Sequence, residues 1–159
     1  PGAKECCIEF NSMSKSHNMP GWRIGMLASN AEFIQWILKV KSNMDSGMFY
    51  GIQKGAIAAL QSDASWFDEM NAIYAKRRIL TEALAEKLGC EVYKEGVGLF
   101  VWAKLPAGIT SAEDFIDKIL YEKYIFITPG TIFGSNGEGY IRFALCVKEE
   151  KIEEAIRRF

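Results

Sequence analysis

A lysine near the start of the chain has hydroxyl side chains just before it and an arginine shortly after it. Ser12 and Ser14 precede Lys15 in the run Ser12-Met13-Ser14-Lys15, and Arg23 follows. A lysine amine that lies beside a second cation, or that is shielded from water, becomes a nucleophile toward carbonyl carbons. Hydroxyls and a guanidinium are natural ligands for phosphate. This spacing therefore predicts a site that holds a phosphorylated aldehyde as a Schiff base on Lys15.

Two short strands are predicted to position these residues. Cys6–Phe10 is apolar and β-prone enough for a buried strand. Arg23–Ala28 is predicted to be a second short strand. The segment Met19-Pro20-Gly21-Trp22 breaks regular structure between them. Lys15 would then lie at the mouth of a turn that leaves a strand, and Arg23 would begin the next strand.

The rest of the chain is predicted to mix helices and short strands in an α/β fold. The predicted helices have apolar residues at helical spacing and cover Asn30 to about Lys41, Gly51–Leu60, Ala64 or soon after to Gly89, Ser111–Tyr121 and Lys148–Arg158. The predicted strands are short β-prone runs at Glu91–Tyr93, Leu99–Ala103, Tyr124–Ile127 and Tyr140–Leu145. We place a domain boundary within the long helix, near Trp66 to Leu88, and assign the domains to residues 1–65 and 66–159.

Composition excludes several classes of function. The 159 residues carry 19 basic and 20 acidic side chains, a net charge of -1, so we expect no general attraction to nucleic acid or to an anionic membrane. The four cysteines form no C-x-x-C pair, and the single histidine, His17, has no cysteine cluster nearby. A metal site is therefore not expected, and reduced thiols in a cytoplasmic protein are the favoured interpretation.

The lysine segment resembles the signature of the class I and II aminotransferases, which are fold-type-I pyridoxal-phosphate enzymes. That signature is Ser-x-Ser-Lys followed, after a few residues, by Gly-Trp/Phe-Arg-x-Gly, and here Gly21-Trp22-Arg23-Ile24-Gly25 completes it. The resemblance implies that Lys15 holds pyridoxal 5'-phosphate, that Ser12 and Arg23 bind its phosphate, and that Ser14 is a weaker candidate. Two later segments also resemble the family, Pro129-Gly130-Thr131-Ile132-Phe133-Gly134 and Tyr140-Ile141-Arg142-Phe143-Ala144. By this resemblance Arg142 would bind the substrate α-carboxylate.

The same resemblance implies the architecture and the partners. The chain would comprise the end of the large-domain sheet, residues 1–65, and the small C-terminal α/β domain, residues 66–159. The loop Asn43–Phe49 is similar to that of the aspartate and diaminopimelate aminotransferases, whose dimers place it near the partner's cofactor. We therefore expect a homodimer that uses amino acid and 2-oxo acid substrates.

Several alternatives stay open at this stage. Lys15 could be an ordinary solvated lysine, Ser12 and Ser14 could only bond the turn backbone, and Arg142 could pair with a structural carboxylate. Other enzymes with this lysine motif are β-lyases, decarboxylases or synthases. The family's segment before the lysine supplies the partner of the pyridine nitrogen, so we expect this chain to be a fragment, made by truncation or proteolysis, that is inactive alone. It could also be a non-catalytic folded remnant.

Overall fold

The computed structural model describes all 159 residues, Pro1–Phe159, and the chain divides into two units, Pro1–Ala64 and Ser65–Phe159. Each unit has its own cluster of buried apolar side chains. None of the helices combines the length and the hydropathy needed to cross a lipid bilayer.

The first unit contains one β-hairpin and several helices. Its elements are α1 (Ala3–Cys6), β1 (Glu9–Ser12), α2 (Met13–Ser16), a 3₁₀ turn (Pro20–Trp22), β2 (Gly25–Ala28), α3 (Ala31–Met44) and α4 (Tyr50–Leu60). Strands β1 and β2 pair antiparallel, with Glu9 opposite Ala28 and Ser12 opposite Gly25. Asn30 begins α3, because its side-chain oxygen accepts a hydrogen bond from the backbone N–H of Phe33 at 2.9 Å.

The strand predicted at Cys6–Phe10 is displaced toward the lysine. Residues Ala3–Cys6 form α1 instead, which begins after Gly2 in a left-handed conformation, and the backbone N–H of Cys7 closes the turn onto the Ala3 carbonyl. The strand begins only at Glu9 because pairing with β2, and not apolar character, fixes its limits. A short apolar run does not distinguish these possibilities by itself.

The second unit packs three helices around an antiparallel sheet. Its elements are α5 (Ala64–Lys87), β3 (Glu91–Val92), β4 (Phe100–Lys104), α6 (Ala112–Lys123), β5 (Thr128–Pro129), two 3₁₀ turns (Gly130–Phe133 and Ser135–Gly137), β6 (Tyr140–Ala144) and α7 (Glu149–Arg157). The strand order is β3-β4-β6-β5, and all the pairs are antiparallel. Gly89 ends α5 with φ of 77°, as expected for a glycine just past a helix.

The two faces of this sheet differ in burial. Val101 and Ala103 on β4 alternate with exposed or partly exposed neighbours, and Ile141 and Phe143 on β6 do the same. These four side chains face the core together with apolar residues of α5 and α6. The opposite face carries Phe100, Trp102, Tyr140 and Arg142. Period-two burial of this kind is normal for a sheet with one solvated face.

The strand predicted at Tyr124–Ile127 does not form there. Tyr124 ends α6 in a left-handed conformation with φ of 57°, and the chain pairs with β6 only at Thr128 and Pro129. Ile127 is nevertheless buried in the core. The apolar character of this segment thus reflects burial of a connection and not a strand.

Candidate active site

The lysine segment forms a loop that closes on itself at the end of the hairpin. The backbone N–H of Met13 donates to the carbonyl of Ile24 at 3.2 Å, immediately after the last hairpin pair, Ser12 and Gly25. Met13 and Ile24 are buried and contact Ala56 of α4. The hairpin and these two apolar anchors therefore fix both ends of the loop that carries Lys15 and Arg23.

Two serines shape the beginning of α2. Ser12 is the last residue of β1, and its hydroxyl oxygen accepts a hydrogen bond from the backbone N–H of Ser14 at 3.2 Å, which caps the helix. The Ser12 hydroxyl proton is left over for another acceptor, because the cap uses only the oxygen. The Ser16 hydroxyl also donates to the Ser12 carbonyl at 3.2 Å.

Lys15 lies in the single turn of α2 and not in an irregular turn. Its side chain is exposed in this chain, and no ion pair or hydrogen bond to another group of the chain holds its amine. The amine is therefore available to an added molecule.

Arg23 adopts an unusual backbone conformation directly after the 3₁₀ turn. It has φ of 51° and ψ of 44°, the left-handed region, which costs a residue with a side chain about 1–2 kcal/mol. Its Nη1 donates to the carbonyl of Pro20 at 2.9 Å, and the other N–H groups bond nothing in the chain. The residue lies two positions before β2, whereas the sequence placed it within that strand.

The chemistry of this donor set fits a phosphorylated aldehyde. Ser12 has a spare hydroxyl proton, Arg23 has spare guanidinium N–H groups, and Lys15 offers an unpaired amine, all in the segment from the end of β1 to the start of β2. A shallow cavity of about 370 Å³ also opens along the hairpin beside Ser12 and Gly25. Ser14 contributes its backbone N–H to the cap, and its hydroxyl donates to no group of the chain.

Arg142 lies in the second unit, on the solvated face of the sheet. Its guanidinium carbon is 4.2 Å from the ring centre of Phe100 and 4.0 Å from that of Phe133. The Nε atom is buried and has no hydrogen-bond partner. Arg142 forms no ion pair, so the carboxylate partner that a structural role would require is absent from this chain.

The turn after β5 brings Phe133 to this arginine. Gly130 and Gly137 approach so closely that a Cβ on either would overlap the backbone of the other. The Thr131 hydroxyl donates to the Glu113 carboxylate on α6, and this bond holds the pKa of Glu113 below its usual value. Glu138 accepts from the backbone N–H of Ala112 at 3.3 Å and of Gly139 at 3.1 Å.

Sequence reasoning missed Phe100 and gave Phe133 no role beyond its motif. Both rings contact Arg142, yet Phe100 belongs to another strand and lies 42 residues earlier in the sequence. The only available signal was alternation along β4, which puts Phe100 and Trp102 on one face. The pairing of β4 with β6 could not be read from either strand alone.

The chain has known relatives along its whole length. The profile of the family described as aminotransferase class I and II matches residues 2–159. The LL-diaminopimelate aminotransferase of Oleidesulfovibrio alaskensis is 45% identical over 158 residues, which are 99% of this chain and 40% of that protein. The LL-diaminopimelate aminotransferase of Aquifex aeolicus is 45% identical over 159 residues, covering 99% of this chain and 41% of that protein.

Solved structures share the fold as well. Substrate-bound BacF from Bacillus subtilis matches with a TM-score of 0.90 at 34% identity, over 99% of this chain and 40% of that one. The α/β fold expected from the sequence, part of a fold-type-I aminotransferase, is thereby confirmed. The chain spans about 40% of the length of these relatives. Because the family profile covers all but its first residue, the chain belongs to the class I and II aminotransferases.

Proposed function

We propose that this chain contributes to a pyridoxal-phosphate-dependent aminotransferase, which moves an amino group from an amino acid to a 2-oxo acid. The observation that supports the proposal is the closed loop that contains the unpaired Lys15 amine together with the unused donors of Ser12 and Arg23. The names of the relatives support the reaction class. Since the chain spans about 40% of those relatives, we assign turnover to the full-length protein and expect little or none from these 159 residues alone.

Each residue has a separate role in this proposal. Lys15 holds pyridoxal phosphate covalently, Ser12 and Arg23 bind its phosphate, and Ser14 assists more weakly. When bound, the cofactor supplies an aldehyde that reacts with amino groups and a ring that withdraws electrons from the substrate. The Lys15 amine would be the base that takes the proton from the substrate Cα. Arg142 binds the α-carboxylate, because a planar guanidinium matches a carboxylate with two parallel hydrogen bonds.

The wider assignments follow from the same proposal. Residues 1–65 would be the C-terminal part of the large cofactor-binding domain, and residues 66–159 would be the small domain. We propose a cytoplasmic homodimer, as the loop Asn43–Phe49 suggested. Exposed apolar side chains on the hairpin support a surface that further protein covers, with Phe10 76% exposed and Met26 53% exposed.

Reductive trapping tests the cofactor site directly. The full-length protein is incubated with pyridoxal phosphate, reduced with borohydride and digested, and the peptides are mapped by mass spectrometry. We expect a pyridoxyl group on Lys15, which Lys15→Ala removes together with nearly all transamination. Lys39→Ala is the matched control, because Lys39 is an exposed lysine on α3 of the same unit.

Two results would contradict the proposal. The cofactor assignment fails if Lys15 stays unlabelled while other lysines react, or if Lys15→Ala keeps its turnover. The assignment of turnover to the full-length protein fails if the purified 159-residue chain transaminates measurably with added pyridoxal phosphate.

A further inference from the structure

Arg142 is enclosed by two aromatic rings and has no acidic partner. The ring centres of Phe100 and Phe133 lie 4.2 and 4.0 Å from its guanidinium carbon, and its Nε is buried without a hydrogen bond. A guanidinium between ring faces is attracted by both rings, and the attraction is stronger where water is excluded. The rings therefore provide a preferred plane for the guanidinium without neutralising its charge.

We infer that Phe100 and Phe133 are positioning residues that hold the Arg142 guanidinium in a fixed plane. Because the guanidinium forms no ion pair in this chain, its positive charge is then available to a carboxylate ligand. This inference rests on the proposed function, because it concerns the residue that would bind the substrate α-carboxylate. A structural acid in place of the rings would compete with the substrate for the same N–H groups. Two rings restrict the orientation of the arginine and leave the N–H groups of its terminal nitrogens to the ligand.

Phe100 and Phe133, which we call the aromatic clamp of Arg142, belong to separate elements of the fold. Each ring can therefore hold its side of the guanidinium in place. Phe100 begins β4, where it pairs with Ala144, and the backbone N–H of Leu145 donates to the Leu99 carbonyl at 2.9 Å. Phe133 belongs to the 3₁₀ turn after β5, and Trp102 meets its ring edge-on with 5.8 Å between the centres. Trp102 in turn stacks on Tyr140 at 5.7 Å. Each ring is therefore held by contacts other than the one with the arginine.

The first test observes the clamp itself, without a cofactor or substrate. In nuclear magnetic resonance spectra of the 159-residue chain, we expect the Arg142 Nε–H to show a ring-current shift and slow exchange with water. Phe133→Leu removes the ring but keeps apolar bulk, and should accelerate this exchange about tenfold or more as the Nε–H becomes accessible. Phe133→Tyr keeps the ring and should preserve the signal. Tyr121→Leu is the matched control, because Tyr121 is an aromatic residue of α6 in the same unit and is 76% exposed.

The second test measures the consequence in the full-length protein loaded with pyridoxal phosphate. The donor is whichever standard L-amino acid the wild type uses fastest, and it is compared with the amine that lacks only the α-carboxylate. We expect Phe133→Leu and Phe100→Leu to raise the KM for the amino acid about tenfold, equivalent to about 1.4 kcal/mol, with kcat nearly unchanged. The reaction with the amine should not change, and Phe133→Tyr should restore the KM.

The two tests separate the clamp from the proposed function. An Nε–H that exchanges as fast as those of exposed arginines, or that Phe133→Leu leaves unaltered, overturns the clamp whatever the enzyme does. An unchanged KM, or equal losses with amino acid and amine, overturns its role in carboxylate binding. Failure of borohydride labelling at Lys15 would instead remove the proposed function, and the exchange measurement would still decide whether the rings hold Arg142.

Discussion

The indole of Trp22 lies so close to Gly55 of α4 that a Cβ on this glycine would overlap the ring. Trp22 directly precedes Arg23, and the buried pair Met13 and Ile24 also packs on this helix through Ala56. The loop that carries Lys15 is thus attached to α4 at two neighbouring points. A small residue at position 55 is a requirement of the loop and not of the helix, which glycine weakens.

Replacing Gly55 with alanine should therefore destabilise the chain. Alanine favours a helix over glycine by about 1 kcal/mol, but overpacking against the Trp22 ring, which is less exposed at 46% than Phe49 at 75%, costs about 1–3 kcal/mol. We expect the free energy of unfolding to fall by about 1 kcal/mol, because the overlap outweighs the helix gain. Urea denaturation followed by circular dichroism measures this difference.

Gly51→Ala on the same helix is the control for this substitution. A Cβ at Gly51 would meet only the ring of Phe49, which is 75% exposed and can move aside. The control should leave stability unchanged or slightly higher. If both alanine variants proved equally stable, the contact between Trp22 and Gly55 would not constrain the loop.

The four cysteines should differ sharply in reactivity. Cys90 is buried at the end of α5, and burial raises the pKa of its thiol to about 11, because a thiolate loses its hydration there. Alkylation requires the thiolate, so iodoacetamide at pH 8 should modify Cys90 far more slowly than exposed Cys146. Peptide mass spectrometry over a time course measures both rates. Denaturation should equalise the two rates, and equal rates in the folded chain would contradict this burial.

The sequence predicted most of the helices because their signals are local. Asn30 and Ser111 begin the predicted ranges and cap α3 and α6, each accepting a hydrogen bond from the backbone N–H three residues later. The strands were less predictable, since pairing with a distant partner decides their limits. The run at Tyr124–Ile127 has strand composition, yet only Thr128 and Pro129 meet β6. Local composition cannot report such a partner.

The candidate site likewise has features that the local sequence predicts and features that depend on residues distant in the sequence. The spacing of Ser12, Lys15 and Arg23 is local, and their segment connects the two strands of the hairpin. The surroundings of Arg142 depend on strand register, which places Trp102 opposite the arginine and Phe100 diagonally across. The left-handed backbone of Arg23 is another feature without a sequence signal, because it results from the 3₁₀ turn before it.

The hydrogen-bonded ion pairs of Glu154 should make the stability of the folded chain depend on pH in the acidic range. Lys151 at 2.8 Å and Arg158 at 2.5 Å hydrogen-bond its carboxylate and lower its pKa from 4.5 to about 2. Because the pKa of Glu154 is lower in the folded chain than in the unfolded chain, where it is near 4.5, the ionised carboxylate stabilises the fold above about pH 4.5. This contribution to stability is lost as the pH falls toward 2. Glu154→Gln should therefore lower the Tm at pH 7 by more than it does at pH 2.

Glu153→Gln serves as the control, since Glu153 is an exposed neighbour on α7 that forms no ion pair. It should shift the Tm little at either pH. High salt should narrow the difference between wild type and Glu154→Gln at pH 7, because these groups are accessible to ions. A difference that persisted unchanged down to pH 2 would show that Glu154 acts through packing and not through charge.

The contact between Gly130 and Gly137 gives the strictest steric prediction. A Cβ on Gly130 would overlap the Gly137 carbonyl and crowd the Tyr140 carbonyl, and backbone cannot rotate away as a side chain can. Gly130→Ala should lower the free energy of unfolding by about 2–3 kcal/mol, measured by urea denaturation. Gly96→Ala is the control in the same unit, because its Cβ would come no closer than 3.3 Å to the Tyr93 carbonyl.

Since the same turn carries Phe133, Gly130→Ala should also accelerate exchange of the Arg142 Nε–H. Loss of stability without that change would mean that the turn and the aromatic clamp are independent.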